Sequence, residues 1–219
     1  MRVYIKLSKN TKQIPFNYQP MLTGVVNKWI GSDNTEHGRS SLFSFSWLQN
    51  TKANNNGISI SDKSYFFISS FEINFLKEVI KGIIDSPDAL YGTRVLDIQI
   101  KNTPDFSNCE RFFLSSPILL KKRIGDKIKH MTYLDSEFEN MITENFKKKL
   151  RYAKIIDKNV YITIDREYPF SQTKLVDYNG IKNKTSLVPI IIKGNPEQIK
   201  FAWLVGLGNS TGIGFGSLK

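Results

Sequence analysis

The feature that most constrains the fold of this sequence is an order of strand-like and helix-like segments that occurs twice. Segments that alternate apolar and polar residues predict strands, and apolar residues spaced three and four apart predict helices. In the first half the patterns give the order βαββαβ, with residues 58–60 and 65–68 interpreted as a hairpin. Strands are predicted over residues 2–7, 42–48, 58–60, 65–68 and 94–100, and helices over residues 22–30 and 73–83.

The second half begins the same order again, which predicts two consecutive α+β units. Each unit fits the ferredoxin-like topology shared with RNA-recognition-motif (RRM-like) domains, and we place the units at residues 1–110 and 111–219. Neither half has the aromatic consensus of the RNA recognition motif, so base stacking on a sheet face is not predicted. Strands are predicted over residues 112–115, 118–120, 127–133, 159–165, 174–178, 185–192 and 213–218, and helices over residues 138–150 and 196–205.

Short polar motifs predict where the helices and turns lie. Ser69 with Glu72, and Ser136 with Glu139, have the spacing of capping boxes at helix starts. Asn195 before Pro196 predicts a third helix start, and Asn179-Gly180 predicts a tight hairpin turn.

The charge balance favours a nucleic-acid partner. The chain has 31 basic and 20 acidic residues among 219, a formal net charge of +11. Residues 1–112 have a net charge of +3 and residues 113–219 one of +8. A basic excess of this size is typical of nucleic-acid binders, although solubility or an AT-rich genome that favours lysine would also produce it.

Several classes of protein lack support. No apolar run is long enough to cross a membrane, the basic N-terminus has no apolar signal core, and Cys109 is the sole cysteine. Neither a metal-binding motif nor a serine-hydrolase motif occurs. We therefore expect a cytoplasmic protein with no membrane partner, no metal and no cofactor.

The strongest local motif is the run over residues 206–216, which contains five glycines, at positions 206, 208, 212, 214 and 216. Glycine permits backbone conformations in which successive N–H groups bind an anion. The run fits neither the Walker nor the Rossmann phosphate loop, because it lacks a Gly-Lys-Ser/Thr end and follows a helix. A tight structural connection between the last helix and strand is the alternative interpretation.

Two histidines and two basic clusters are the other candidate functional residues. His37 lies in a polar loop two residues before Arg39, where it could act as a general acid or base, whereas His130 lies in a predicted strand. The cluster Lys121, Lys122, Arg123, Lys127 and Lys129 lies on turn-like sequence and could follow a phosphate backbone. The second cluster, over residues 147–154, is interpreted as a solvated helix end.

Taken together, these motifs resemble the CRISPR-associated endoribonucleases that cut precursor CRISPR RNA, the sixth Cas family within the RAMP superfamily. The glycine run matches that family's pattern G-h-G, five residues, G-h-G, where h is hydrophobic. Further similar stretches are the first strand and helix, the histidine loop TEHGRSSLFSFSW, and Thr132-Tyr133-Leu134-Asp135 before a helix.

The resemblance implies a metal-independent reaction in which a ribose 2′-OH attacks the adjacent phosphate, leaving 2′,3′-cyclic phosphate and 5′-OH ends. His37 then corresponds to the catalytic histidine, and Arg39 could stabilise the transition-state charge. Some members have a tyrosine and a lysine where this chain has Asn27 and Ser41; Lys28, Arg39 and Ser40 are the candidate substitutes.

The implied partners are CRISPR repeat RNA, proteins of a CRISPR effector complex and a second copy of the chain. A non-catalytic repeat-RNA-binding subunit on the same fold, and a nucleotide-binding enzyme that uses the glycine run, are the alternatives. The predicted RNA-binding residues are Lys28, Lys121, Lys122, Arg123, Lys127, Lys129, Gly206, Gly208, Asn209, Ser210, Gly214 and Gly216.

Overall fold

The computed structural model describes residues 1–31 and 41–219. His37 and Arg39 therefore lie outside the described residues.

The first half forms a complete ferredoxin-like unit. Its four-stranded antiparallel sheet has the order β2-β5-β1-β6, and a small hairpin, β3–β4, is inserted between β2 and β5. Helices α1 and α2 cover one face of the sheet, where Val3 and Ile5 are fully buried. The elements are β1 (Arg2–Leu7), α1 (Gln19–Ile30), β2 (Phe43–Phe45), β3 (Lys52–Asn54), β4 (Gly57–Ser59), β5 (Tyr65–Ser70), α2 (Ile73–Asp85) and β6 (Val95–Lys101).

The second half keeps three strands of the same arrangement, in the order β10-β13-β7. Hairpins β8–β9 and β11–β12 are inserted before α3 and between β10 and β13. The elements are β7 (Cys109–Phe112), β8 (Leu120–Ile124), β9 (Lys127–Met131), α3 (Phe138–Tyr152), β10 (Tyr161–Ile164), β11 (Gln172–Tyr178), β12 (Ile181–Leu187), β13 (Ile190–Lys193) and α4 (Pro196–Val205). The tandem ferredoxin-like prediction is confirmed, while the boundary between residues 110 and 111 stays a prediction and falls within β7.

The two halves have separate apolar cores that are joined by buried polar contacts. The Arg2 side chain, at the start of β1, donates hydrogen bonds of 2.9 Å to the carbonyl oxygens of Trp203 and Leu218. Its guanidinium carbon lies 3.8 Å from the Phe67 ring centroid and 3.6 Å from that of Trp203. Desolvation by burial lowers the pKa of Arg2 to about 10, so the guanidinium is charged at neutral pH. One buried cation therefore joins β1, α4 and the C-terminal segment.

The predicted last strand, residues 213–218, is wrong as a continuous strand. Thr211–Ile213 forms a 3-10 turn, and Gly214 and Gly216 have φ of +86° and +65°, which interrupt an extended backbone. Leu218 pairs with Leu114 in a single antiparallel bridge.

The predicted hairpin of residues 58–60 with 65–68 is also wrong. Both edges of β5 are occupied by β1 and β2, so β4 pairs with β3 instead. The predicted turn at Asn179-Gly180 is confirmed by β11–β12, but the predicted strand 185–192 is wrong as one strand, since β12 ends at Leu187 and β13 begins at Ile190 in another sheet. The predicted strands 112–115 and 118–120 are wrong as continuous strands. Phe112 ends β7 and Leu120 begins β8, and between them Leu114, Ile118 and Leu119 form only isolated bridges.

All three helices begin where predicted, at Ile73, Phe138 and Pro196, but two of the three predicted caps do not form because their polar side chains have long-range partners. Ser69 Oγ donates to the carbonyl oxygen of Leu204 at 2.8 Å, and α2 has no side-chain cap. The Glu139 carboxylate accepts a hydrogen bond from the Ile164 N–H instead of capping α3. At α4 the prediction is confirmed, since Asn195 and Gln198 form a reciprocal capping box.

Candidate nucleic-acid interface

The first part of the candidate site is the exposed side of α1 beside the glycine-rich segment, residues 206–218. The carbonyl oxygen of Ile213 lies 3.3 Å from Thr23 Oγ1, which also donates to the Gln19 carbonyl oxygen of its own helix at 3.0 Å, so the segment lies against this helix. Asn27 lies one helical turn further on and is exposed. Lys28 is also exposed, and its ammonium donates to the carbonyl oxygen of Asp88.

Ser41 forms the second part of the site. A Cβ built on Gly212 would lie 2.4 Å from Ser41 Oγ, so the glycine-rich backbone passes directly against this serine. Gly31 ends α1 and Ser41 precedes β2; these residues bracket the segment that contains His37 and Arg39. The chain thus brings Ser41, at one end of the predicted catalytic loop, against the glycine-rich segment.

The two G-h-G triplets of the motif lie side by side. The Leu207 N–H donates to the carbonyl oxygen of Gly216 at 2.9 Å, and a Cβ on Gly216 would lie 1.8 Å from the carbonyl oxygen of Leu207. A Cβ added to Gly206 would lie 2.7 Å from the carbonyl oxygen of Gly216. A Cβ added to Gly208 would lie 2.6 Å from the carbonyl oxygen of Leu119. Four of the glycines are buried, and their role in the structure is to permit this close backbone packing.

Most N–H groups of the segment already have protein acceptors. The N–H groups of Asn209 and Gly216 donate to Leu119 and Pro117, both at 2.8 Å, and those of residues 213–215 donate within the segment. The Asn209 side-chain oxygen accepts from the Lys121 N–H at 2.8 Å. The structure thus favours the tight-connection interpretation over an anion-binding nest. Contact of RNA with Asn209, Ser210 and these glycines stays a prediction.

The interpretation of residues 147–154 as a solvated helix end is wrong for Lys149, which contacts the glycine-rich segment. This residue is 7% exposed, and its Nζ donates to the Gly206 carbonyl oxygen at 3.3 Å and to Thr211 Oγ1 at 3.1 Å. Burial lowers the pKa of Lys149 to about 7. A neutral amine has two N–H donors, which these two acceptors satisfy. The spacing of Lys149 in the sequence could have indicated its burial. Lys149 follows Phe146 by three residues and Ile142 by seven, which places it on the apolar stripe of α3.

The basic cluster lies on the β8–β9 hairpin, not on a turn. The prediction that it occupies turn-like sequence is wrong because residues 120–124 pair with residues 127–131. Lys122 forms an ion pair with Glu137, and Lys129 forms one of 3.0 Å with Asp135. These two carboxylates at the start of α3 neutralise one face of the hairpin.

The other face of the hairpin keeps its positive charge among the described residues. Lys121 pairs across the strands with His130, and Arg123 pairs with Ile128. Arg123 is exposed, and its Nε donates only to the Gly125 carbonyl oxygen, at 3.1 Å. Desolvation, and then the charge of Lys121, lower the pKa of His130, so this histidine is neutral at pH 7. Lys127 lies at the exposed tip of the hairpin.

Two further kinds of site find no support in the residues that the structure describes. Within residues 1–31 and 41–219, no group of three or more histidine, cysteine or acidic side chains could hold a metal ion. None of the helices in these ranges is long and apolar enough to cross a membrane.

Residues 100–219, which include the whole glycine-rich segment, match the family model of CRISPR associated protein Cas6, C-terminal. The chain belongs to the Cas6 family. Over its full length it is 28% identical to a CRISPR-associated endoribonuclease-like protein Cas6 of Pyrococcus furiosus, with 98% of that relative covered. It is 27% identical to the CRISPR-associated endoribonuclease Cas6 1 of Methanocaldococcus jannaschii, over 99% of this chain and 91% of the relative.

The fold agrees with the Cas6 assignment. The solved structure of the product of a Cas6-related gene from Pyrococcus furiosus superposes with a TM-score of 0.86 at 24% identity, over 100% of this chain and 97% of that one. The predicted family and fold are therefore confirmed, whereas the predicted catalytic and RNA-binding residues stay predictions.

Proposed function

We propose that this Cas6 protein is an endoribonuclease that cuts CRISPR repeat RNA without a metal ion, to produce mature guide RNAs. Family membership and the endoribonuclease names of its relatives support the activity. The observation that carries the site is the contact of Gly212 with Ser41, because it joins the family's glycine-rich segment to the end of the histidine loop.

The proposed reaction is a transesterification within the RNA. The 2′-oxygen before the scissile bond forms a bond to phosphorus and the bond to the 5′-oxygen breaks, giving a 2′,3′-cyclic phosphate and a 5′-OH. The 2′-OH loses a proton and the leaving 5′-oxygen gains one. His37 makes one of these two transfers, a step worth roughly 10²–10⁴-fold, and solvent water makes the other. Arg39 supplies positive charge to the phosphorane, and Asn27 and Ser41 are the proposed hydrogen-bond donors to the phosphate oxygens.

The test uses repeat RNA transcribed from the CRISPR array of the source genome. We expect cleavage in excess EDTA, a cyclic phosphate on the 5′ fragment, and no cleavage of RNA with a single 2′-deoxy substitution before the cut. Loss of activity on chelation, or cutting of the deoxy-substituted RNA, would instead indicate a metal-activated water.

His37→Ala tests the catalytic assignment. We expect cleavage to fall at least about 100-fold while the affinity for repeat RNA changes by no more than a few fold. Turnover at the wild-type rate would remove His37 from the mechanism. His130→Ala is the matched control, because that histidine lies on the β8–β9 hairpin and not in the bracketed loop.

A second candidate function is a non-catalytic repeat-RNA-binding subunit of a CRISPR effector complex. The observation that favours it is Asn27 and Ser41 at positions where the resemblance implies a tyrosine and a lysine. Tight binding of repeat RNA by wild-type protein, with no cleavage over hours, would select this alternative. Size-exclusion chromatography with and without RNA would show whether a second copy of the chain is a partner.

A further inference from the structure

The first sheet has an open face, opposite α1 and α2, that is covered at one end only. At the covered end, Arg2 and Phe67 lie under Trp203 of the second half. At the uncovered end, Tyr4 and Tyr65 are half-buried. The second half thus leaves part of the β1–β5 surface uncovered.

The two tyrosines line a pocket on this open face. Tyr4 lies on β1 and Tyr65 on β5, the two central strands, and their ring centroids are 5.6 Å apart. The Phe67 ring, 5.5 Å from that of Tyr4, supports the pair from the covered end. The pocket holds about 290 Å³, near the lower limit of small-molecule sites, which are roughly 300 Å³ or larger.

Aromatic rings on the two central strands of this topology are a general means of stacking unpaired RNA bases. The sequence consensus for that arrangement is absent, but the antiparallel register produces it, because Lys6 pairs with Tyr65 and Tyr4 pairs with Phe67. We propose that this pocket binds one unpaired RNA nucleobase by stacking on Tyr4 and Tyr65. The proposal rests on the proposed RNA substrate and adds a subsite away from the histidine loop.

The charges around the pocket suit a polymer better than a free nucleotide. Lys6, Lys63 and Lys101 line it together with Asp62 and Asp97, which gives a formal charge of +1. A free polyphosphate would need more positive charge, whereas one nucleotide of a chain needs only a base platform and a nearby cation.

Lys101 shows how the platform works. Its Nζ lies 4.6 Å from the centroid of the Tyr4 ring, so Lys101 makes a cation–π contact with the ring on which the base would stack. Lys101 is an exposed residue at the end of the edge strand β6, and its long side chain can move from the ring to a phosphate as a base enters.

The first experiment measures binding of a fluorescein-labelled uridine dodecamer and of repeat RNA to the full-length protein. The double variant Tyr4→Leu/Tyr65→Leu keeps apolar bulk on the strands and removes the rings. We expect at least about 5-fold weaker binding of both RNAs, as for the loss of one stacked base. Tyr161→Leu is the matched control, because Tyr161 is a 59% exposed strand tyrosine in the second half, and its affinity should equal wild type.

The second experiment separates base stacking from a loss of folding. RNA with 5-iodouridine, irradiated on the wild-type protein, should crosslink to the peptide of Tyr4 or of Tyr65, and each crosslink should disappear in the matching single variant. The Lys6→Gln variant keeps both rings, so its crosslinks to the RNA should persist. Because it loses a cation beside the pocket, its RNA affinity should depend less on salt concentration.

Wild-type affinity in the double variant, or crosslinks confined to other elements, would overturn the subsite and favour a peptide as its occupant. Crosslinking at the tyrosines by a protein that never cuts repeat RNA would support the subsite and contradict the proposed cleavage. Cleavage of repeat RNA by the wild-type protein, together with wild-type affinity of the double variant for both RNAs, would support the proposed cleavage and contradict the subsite.

Discussion

The first half completes its sheet with a fourth strand, β6, whereas the second half has the last residues of the glycine-rich segment in that place. There, Ser115 N–H donates to the Ser217 carbonyl oxygen and Lys219 N–H to that of Phe113, both at 2.8 Å, beyond the end of β7. A regular strand would have paired only with its own sheet. The irregular segment also contacts α1, Ser41 and Trp47, whose Nε1 donates to the Gly214 carbonyl oxygen at 2.7 Å. The loss of strand regularity therefore adds contacts between the halves to those made by α4.

A substitution at Gly216 has the largest expected effect. It tests whether the backbone of the glycine-rich segment is as tightly constrained as that of a strand. Gly216→Ala places a Cβ 1.8 Å from the Leu207 carbonyl oxygen at a φ of +65°, so we expect roughly 3 kcal/mol or more of lost stability. Gly180→Ala is the control, because its φ of +78° is equally unfavourable but no atom lies within 4 Å. That control should cost about 1–2 kcal/mol. Equal losses in urea unfolding would contradict the packing argument.

The second prediction tests how strongly the halves are coupled. Arg2→Met removes both hydrogen bonds to the second half and leaves two buried carbonyl oxygens unpaired, which should cost about 3 kcal/mol. Unfolding followed by tryptophan fluorescence and by circular dichroism should then give transitions at different urea concentrations. The exposed Arg94→Ala should leave the two transitions coincident. Coincident transitions in Arg2→Met would show that other contacts suffice.

The third prediction concerns the buried amine beneath the segment. The pKa of Lys149 is about 7 in the folded protein and roughly 10.4 in an unfolded chain, so unfolding takes up a proton between these pH values. The free energy of unfolding should therefore rise with pH, by about 2 kcal/mol from pH 7 to pH 9. Urea titrations at both pH values should show the rise in wild type and its loss in Lys149→Met. The same pH dependence in both proteins would mean that Lys149 keeps its proton.

The smallest effect distinguishes the two faces of the β8–β9 hairpin. Lys121→Ala/Arg123→Ala should weaken RNA binding and flatten the dependence of log K on log salt by roughly 0.7 for each lost phosphate contact. Lys122→Ala/Lys129→Ala should change the slope little, because Glu137 and Asp135 already neutralise those lysines. Equal slopes for the two double variants would assign the RNA-binding charge to other elements.

The sequence predicts local structure well, because each element depends on residues that are near one another. The stripes of α1 and α3, the Asn195 cap and the Asn179-Gly180 hairpin follow from spacing and turn chemistry alone. The glycine motif also indicated the family.

The missed features depend on how separate elements of the chain pack against one another. Nothing near Ser69 shows that its hydroxyl binds Leu204, and nothing near β5 shows that β1 and β2 occupy both its edges. The ion pairs that neutralise Lys122 and Lys129 depend on how the hairpin packs against α3. The Tyr4–Tyr65 pair is likewise a product of strand order, which a linear consensus does not represent.

The contacts of Arg2 have a consequence for synthesis on the ribosome. This side chain is synthesised 216 positions before its acceptor at Leu218. At about 5–20 residues per second, β1 waits roughly 10–40 s for that partner. During this interval Trp203 and Leu218 do not yet cover the Arg2 guanidinium and the Phe67 ring beside it. The nascent first half therefore exposes an aggregation-prone surface until those residues are made. Synthesis at reduced temperature slows elongation. It would therefore lengthen the time for which this surface is exposed and favour aggregation of incomplete chains.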